Sequence, residues 1–311
     1  MNQEPNSKIL SSETRFGFGK NWKKYLASLT PDRIDRAKSS LQNMLGKESF
    51  KKYSFVDIGS GSGLFSLAAW QLGARVHSFD FDQDSVECTM ILRSNFNAPK
   101  SEWSIERASI LDEDFVKRLG QFDIVYSWGV LHHTGNMQLA CEQVAKMCNP
   151  RGLLFIAIYN SQGVISHYWW VVKWIYNTGL VGKYLMTLLH IPYLLVCRLF
   201  FRAITGRLDV ERGMSIWFDM HDWLGGMPFE VASAGKIEAT FSEIGFTLVK
   251  KNLVGSKHGC NEFVFRNCIL SGLASQNVLK LKTNWSNKFG LHSRVMPDAE
   301  AIPRGPDRET S

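Results

Sequence analysis

The chain has 311 residues, of which 45% are hydrophobic and 12% aromatic, and its 36 Lys and Arg outnumber 29 Asp and Glu. This composition excludes an intrinsically disordered chain and a coiled coil, because it supplies enough apolar side chains for a buried core. The formal charge of +7 favours an anionic neighbour such as a membrane face or a nucleic acid.

The cysteine pattern and the first residues predict the compartment. Six cysteines stand apart without a Cys-x-x-Cys pair, and residues 1–14 are polar rather than an apolar export segment. Such a chain is expected to stay in a reducing cytosol, because disulfide frameworks belong to oxidising compartments. Structural zinc and disulfide bonds are therefore not expected.

Apolar residues recur at three- and four-residue spacing on both sides of Thr30-Pro31. This spacing predicts two amphipathic helices that are broken at the proline. Residues 1–50 are therefore predicted to form an N-terminal tail and a helical lid.

Residues 51–160 alternate between short apolar strands, such as SFVDIG, RVHSFD, FDIVYS and LLFIAIY, and helical stretches. This alternation predicts an α/β fold with a doubly wound parallel sheet and helices on both faces. Ligands of such sheets bind outside the carboxyl ends of the strands, so functional residues are expected there.

Residues 161–232 break the alternation and form a predicted insertion with a pocket loop. The stretch 164–207 is apolar and aromatic, carries five basic and no acidic residues, and is interrupted by His190, Pro192 and Arg198. Three interpretations stay open: a helical cap over the sheet, a pair of helices lying in a membrane interface, and a transmembrane span. The interruptions favour the cap over the span.

The last third of the chain is predicted to complete the sheet. Residues 233–268 contain a helical stretch followed by TLVKKNLV and NEFVFRN, two strands that a short connection should pair antiparallel. Residues 269–311 lose periodicity and are expected to form a mobile tail.

A glycine-rich turn follows the first strand of the core. Gly59, Gly61 and Gly63 leave room for a ligand to approach the backbone and the next helix. A dinucleotide fingerprint is excluded, because its last glycine is replaced by Leu64. The carboxylate of Asp57 would repel a pyrophosphate but suits an ammonium group, such as that of S-adenosylmethionine.

A second candidate ligand-binding residue, Asp80, lies at the end of the next strand. Asp80 follows Gly63 by 17 residues, where an acid accepts hydrogen bonds from ribose hydroxyls in nucleoside-binding sheets. Asp82 and Asp84 are predicted to cap the following helix, since Asp is favoured at helix starts.

With these anchors the chain resembles the class I S-adenosylmethionine-dependent methyltransferases, strongly over residues 54–160. The resemblance implies a seven-stranded, mostly parallel Rossmann-like sheet with an antiparallel last strand, and S-adenosylmethionine as the cofactor. ERASILDED and FDIVYSWGVLHHTGNM are most similar to the ubiquinone-biosynthesis (polyprenyl-benzoquinol) methyltransferases. That likeness implies that Ser109 and Ile110 lie at the adenine edge, and Ser127 and Trp128 at the methionine side. The predicted cofactor-binding residues are Asp57, Gly59, Ser60, Gly61, Gly63, Asp80, Phe81, Ser109, Ile110, Ser127 and Trp128.

Two departures disfavour nucleic acid as the acceptor. Enzymes that methylate amino groups of nucleic acids carry Asn/Asp-Pro-Pro-aromatic where this chain has Ser127-Trp128-Gly129-Val130. Enzymes that methylate C5 of cytosine need a Pro-Cys pair, whereas this chain has Cys148-Asn149-Pro150. The basic residues of the insertion are interleaved with apolar ones, which suits a lipid better than a phosphate backbone.

A hydroxyl acceptor needs a base, and His is best matched to neutral pH. His133 follows the fourth strand and either acts as the base or braces its loop. His221, oriented by Asp219 or Asp222, is the second candidate. Two alternatives stay open for Asp219 and Asp222: a magnesium site that also includes Glu230, or a plain pocket loop without catalytic residues. We predict no metal.

These observations predict methyl transfer to a hydroxyl, or less readily a carbon, of a lipophilic small molecule such as a polyprenyl quinol or phenol. The insertion should form the acceptor pocket and contact a membrane peripherally, while an aromatic N-terminal segment closes over the cofactor. An RNA methyltransferase and a non-enzymatic anchor on a degenerate fold are the alternatives. The protein is expected in the cytoplasm, in part associated with a membrane.

Overall fold

The computed structural model describes Trp22, Leu26 and residues 29–205, 223–255 and 259–268, with backbone only for 194–205. These residues build one seven-stranded sheet with the strand order β3-β2-β1-β4-β5-β7-β6. The strands are β1 (Ser54–Ile58), β2 (Arg75–Asp80), β3 (Trp103–Arg107), β4 (Phe122–Trp128), β5 (Cys148–Tyr159), β6 (Phe246–Asn252) and β7 (Cys260–Asn267).

The pairing confirms the predicted fold class. Strands β1 to β5 are parallel to one another, whereas β7 lies antiparallel between β5 and β6. The carboxyl ends of the parallel strands therefore meet at one edge, together with the start of β7. The helices are α1 (Pro31–Leu45), α2 (Leu64–Gln71), α3 (Gln83–Asn95), α4 (Glu113–Leu119), α5 (Met137–Lys146), α6 (Val164–Tyr176), α7 (Leu180–Thr205) and α8 (Ala234–Glu243).

Helices cover both faces of the sheet, because the strands are buried on both sides. In β4, Ile124 packs with α1 and α2, whereas the next residue, Val125, packs with α4, α5 and α8. Both side chains are fully buried. Two apolar cores, one on each face, thus hold the sheet in place beneath the site edge.

Helix α1 confirms the predicted break. It begins at Pro31, whose missing N–H costs nothing at a first helical position. Ile34 and Leu41 lie on its buried face, as the three- and four-residue spacing predicts. Gly46 ends the helix in the left-handed conformation, with φ 64°.

Strand β3 and helix α4 were not predicted from the local pattern. β3 is the edge strand, and only Trp103 of its five residues is buried. Without a second buried position, the sequence shows no period of two for a strand to be recognised by. Helix α4 is seven residues long and capped by Asp112, which accepts from the N–H of Phe115.

The insertion is helical, as expected for a cap. Helices α6 and α7 form a hairpin directly after β5, and Trp169, Val172 and Tyr176 of α6 pack against Met186 of α7 and Leu224. Among the described residues, no helix combines the length and the apolar character that crossing a membrane requires.

Candidate active site

The glycine turn between β1 and α2 holds all three glycines in the left-handed region. The φ angles are 73° at Gly59, 55° at Gly61 and 79° at Gly63. A Cβ atom on Gly59 would lie 2.4 Å from Cγ2 of Val130, so no larger residue fits there. The turn therefore needs glycine both for its backbone conformation and for its close packing.

The N-terminal segment reaches this turn. A Cβ atom on Gly61 would lie 3.1 Å from the indole of Trp22, which places that ring directly against the turn. The helical lid of residues 1–50 stays a prediction. The other aromatic residues predicted for it, Phe16, Phe18 and Tyr25, lie outside the described residues.

Asp80 ties the end of β2 to the glycine turn. One carboxylate oxygen accepts from the N–H of Gly61 and the other from the N–H of Asp82, both at 2.9 Å. Burial raises the pKa of Asp80 to about 6. Asp82 caps α3 by accepting from the N–H of Asp84 at 2.8 Å, as predicted for a helix start.

Asp57 lies beneath the turn at the end of a buried chain of hydrogen bonds. The indole of Trp103 donates to Ser78 at 2.8 Å, Ser78 to Ser66 at 2.7 Å, and Ser66 to the Asp57 carboxylate. Burial raises the pKa of Asp57 to about 7, with a smaller contribution from Asp80. Three strands and helix α2 therefore fix this carboxylate, a support that local sequence patterns did not reveal.

Two further predicted residues line the neighbouring loops. The hydroxyls of Ser60 and Thr89 lie 3.1 Å apart, which joins the turn to α3. Arg107 donates from Nε to the carbonyl of Phe81 at 3.1 Å. Its guanidinium carbon lies 5.9 Å from the centroid of the Phe81 ring. The loop after β2 is thus anchored to the end of β3.

Ser109 and Ile110 follow β3, beside Asp80. The N–H of Ala108 donates to the carbonyl of Asp80 at 3.0 Å, which holds the two strand ends together. The Ser109 hydroxyl accepts from the N–H of Leu111 at 3.2 Å, and Ile110 is buried. This placement is compatible with the adenine edge that the resemblance implies.

Trp128 is anchored by Glu262, a residue that the sequence motifs did not single out. Its Nε1 donates to Oε1 of Glu262 at 2.7 Å, and Asn252 donates to the other oxygen of Glu262 at 3.0 Å. Neighbouring Ser127 is fully buried and donates to the carbonyl of Ile58 at 3.2 Å. An acid at the start of the last strand was the only available signal for Glu262.

His133 is held in one tautomer. Its Nδ1 lies 2.6 Å from the carbonyl oxygen of Pro228, which can only accept, so Nδ1 carries the proton. Burial, aided by the nearby Lys173, lowers the pKa of His133 to about 3. A neutral imidazole with so low a pKa is a weak base, which supports the bracing alternative. Its catalytic role stays a prediction.

Aromatic rings gather where β5 ends. The ring centroid of Tyr159 lies 4.0 Å from that of His132, 5.3 Å from Trp223 and 5.5 Å from Phe229. The ring centroid of Trp169, which lies in the cap, is 5.5 Å from that of Trp223. These rings, termed here the aromatic cluster, connect the edge of the sheet to the cap.

A buried cation lies in this cluster. Lys173 is fully buried, and its Nζ lies 4.9 Å from the ring centroids of both Trp223 and Phe229. It also donates to the carbonyl of Trp223. Contacts with aromatic faces are a favourable environment for an ammonium group removed from water. A lysine within an apolar helical run was the sequence signal that could have revealed it.

The second predicted base lies elsewhere in the chain. His221, Asp219 and Asp222 are outside the described residues. Glu230 is described: it accepts from the N–H of Met137 at 3.0 Å, and burial raises its pKa to about 7. Within the described ranges, no three His, Cys, Asp or Glu side chains come together as a metal site.

Comparison with known proteins places the chain in a family. A family model described as a methyltransferase domain matches residues 29–251. The chain is 29% identical over 140 residues to a ubiquinone biosynthesis O-methyltransferase of Bartonella bacilliformis, covering 43% of this chain and 54% of that protein. It is 30% identical over 111 residues to the protein of that name in Bartonella tribocorum, covering 36% and 43%. The chain thus spans about half the length of these curated relatives or less.

The fold agrees with a solved structure. The magnesium protoporphyrin IX methyltransferase of Synechocystis PCC 6803, solved with bound SAM, superposes with a TM-score of 0.51 at 10% identity. The superposition covers 86% of this chain and 100% of that one. Identity this low shows a common fold and no more.

The sheet order and the glycine turn define a class I S-adenosylmethionine-dependent methyltransferase. The family model covers well over half of the chain. The chain therefore belongs to the methyltransferase domain family.

Proposed function

We propose that the protein transfers a methyl group from S-adenosylmethionine to an oxygen of a lipophilic small molecule, such as a polyprenyl quinol or phenol. The aromatic cluster at the end of β5 carries this proposal. The similarity to proteins named ubiquinone biosynthesis O-methyltransferase supports the choice of oxygen.

The glycine turn fits the cofactor. Gly59, Gly61 and Gly63 keep side chains out of the turn, so a ligand can approach its backbone closely. Asp80 offers carboxylate oxygens at the adjoining strand end, suited to ribose hydroxyls. Trp22 would cover the cofactor from the lid side. The bound cofactor supplies an electrophilic methyl group on a sulfonium.

The acceptor pocket is assigned to the space between the sheet edge and the cap. Val130 packs against the glycine turn and lies on the loop that leads to the two histidines. Tyr159 and Phe229 bring aromatic faces to this region, which suit a flat aromatic acceptor. The protein's part in catalysis is to align that acceptor and to exclude water.

Lys173 suits an acceptor with an acidic hydroxyl. A cation held in a wall of low polarity stabilises a phenolate beside it and so lowers the pKa of a bound phenol. Lys173 is therefore assigned to acceptor activation.

We assign to His221 the removal of the proton from the acceptor hydroxyl. Asp219 or Asp222 would orient the His221 ring. His133 serves as a neutral brace, since its Nδ1 proton is committed to Pro228. This division gives each histidine one role.

Two measurements test the function. Calorimetry with S-adenosylmethionine should show saturable binding that Asp80→Ala weakens and Asp84→Asn leaves intact. Transfer of a labelled methyl group should then be compared among a prenylated hydroquinone, the same ring without the prenyl chain, and tRNA. We expect a methyl ether on the prenylated ring. Label in tRNA, label on a ring carbon, or no cofactor binding would each refute the proposal.

A further inference from the structure

The cap hairpin, formed by α6 and α7, has an apolar face turned away from the protein. On α7, Val181, Tyr184 and Leu188 are each more than half exposed and follow one another at three- and four-residue intervals. Residues at such intervals share one side of a helix. The large apolar residues of 164–193 that are 42% to 85% exposed are Val164, Ile165, Tyr168, Trp174, Leu180, Val181, Tyr184, Leu185, Leu188, Leu189 and Tyr193.

The opposite side of the hairpin fixes its orientation. Met186 and His190 of α7 are buried against α6. Nε2 of His190 lies 2.7 Å from the hydroxyl of Tyr168, and its Nδ1 donates to the carbonyl of Met186 at 2.8 Å. Because these inner contacts hold the helices in place, the apolar face cannot turn inward. A monomeric protein rarely exposes so many neighbouring apolar side chains without a function.

The charge pattern indicates what covers this face. The sequence contains no Asp or Glu between Glu142 and Asp209, yet Lys183 is exposed on α7 itself. Arg198, Arg202 and Arg207 follow in the same stretch. Tyrosine, tryptophan and lysine beside aliphatic residues form the composition that settles at the interface of an anionic membrane.

The length of the face indicates a helix lying along a membrane rather than across it. From Val181 to Tyr193 the exposed apolar residues extend along about 18 Å of α7. An amphipathic helix with such a lengthwise stripe sinks its apolar side into the headgroup boundary.

We propose that the outward face of the cap hairpin docks on the surface of a membrane that contains anionic lipids. The hairpin begins just after Tyr159, and Trp169 on its inner side contacts Trp223 of the aromatic cluster. A docked protein would therefore present its acceptor pocket to molecules dissolved in the bilayer. Only this last step rests on the proposed function; the docking does not.

The test uses the full chain and vesicles without cofactor or acceptor. Co-sedimentation is measured with phosphatidylcholine vesicles and with vesicles that also contain phosphatidylglycerol. We expect binding to the anionic vesicles that salt weakens, because exposed charges are screened. Leu188→Glu and Tyr184→Glu should each weaken it by about tenfold or more, since a large apolar side chain is replaced by an acid.

Matched variants separate docking from general stickiness. Ile91→Glu and Leu253→Glu change exposed apolar residues outside the cap, and binding should persist in both. Absence of wild-type binding, or equal binding to both vesicle types, would overturn the proposal. So would a concentration-dependent dimer that Leu188→Glu abolishes, because the face would then belong to a second copy.

The outcome is independent of the methylation assay. If vesicles are not bound but a prenylated quinol in detergent is methylated, docking fails and the proposed function stands. If vesicles are bound through Leu188 and no acceptor is methylated, docking stands and the proposed function fails.

Discussion

Trp128 and Glu262 are 134 residues apart in the chain, yet the indole of the first donates to the carboxylate of the second at 2.7 Å. The contact exists because β7 runs antiparallel beside β5, which brings its first residues to the carboxyl edge of the parallel strands. Glu262 is therefore a positioning residue for Trp128, which the family resemblance places at the methionine side of the cofactor.

Glu262→Ala should leave Trp128 without its strongest acceptor. An unpaired, half-buried indole N–H costs about 1 to 3 kcal/mol, so both the free energy of unfolding and the affinity for S-adenosylmethionine should fall. Glu262→Gln should recover part of both, because an amide oxygen still accepts. Urea unfolding and calorimetry measure the two effects. The exposed residue Glu48 provides the control through Glu48→Ala, and an equal effect in that variant would contradict the assigned role.

Gly59→Ala should destabilise the protein more than an alanine substitution at Gly46, a glycine that also has a positive φ. Gly46 has φ 64° with nothing within 4 Å of a Cβ, whereas a Cβ on Gly59 would meet Val130 at 2.4 Å. Gly46→Ala therefore reports the backbone strain alone, about 1 kcal/mol. Gly59→Ala should exceed it in thermal denaturation and should also weaken cofactor binding. Equal losses in the two variants would show that packing against Val130 is unimportant.

Ser78→Ala should interrupt the hydrogen-bond chain that leads to Asp57. Trp103 is fully buried and would lose the acceptor of its indole N–H, which costs about 1 to 3 kcal/mol of unfolding free energy. The exposed helix residue Ser94 provides the control, since Ser94→Ala should change stability by about 0.5 kcal/mol or less. Similar urea midpoints for the two variants would contradict a structural role of the chain.

Cofactor binding should release protons. Asp57 and Asp80 have pKa values of about 7 and about 6, above the ordinary 3.8, so the folded protein retains protons that the unfolded chain releases. The stability that these protons contribute is fully present below pH 3.8 and is lost as the pH rises towards 7. A cationic ligand favours both carboxylates in their ionised form, so its affinity should increase with pH over the same range.

Calorimetry at about pH 6.5 in two buffers of different ionisation enthalpy measures this proton release. Asp80→Asn should reduce the number of protons released. Asp84→Asn, a substitution in the first turn of α3, should leave that number unchanged. Binding without any change in protonation would show that neither carboxylate meets the positive charge.

The two histidines should differ in how their loss affects the pH profile of methyl transfer. His221→Gln should lower kcat by about tenfold or more and flatten the acidic limb, as expected when a general base is removed. His133→Gln can still donate to Pro228 and should reduce stability while the acidic limb persists. A flattened limb in His133→Gln, with an intact one in His221→Gln, would reverse the assignment.

Much of the fold follows from local sequence. The break at Pro31, the glycine turn and the cap of α3 at Asp82 all depend on neighbours within a few residues, so spacing and residue type were enough to predict them. The domain boundaries and the cofactor-binding and catalytic assignments stay predictions, with Asp219, Asp222 and His221 outside the described residues.

By itself, then, the sequence determined the alternation of strands and helices, the glycine turn and the acid at the end of β2. Only the tertiary structure decided that Glu262 meets Trp128, that Lys173 turns into the aromatic cluster, and that β3 joins an edge with one buried residue. The physical reason is the separation along the sequence between the residues that stabilise each feature. A turn or a helix is stabilised by residues a few positions away, whereas these contacts depend on strand order and register, which no local pattern encodes.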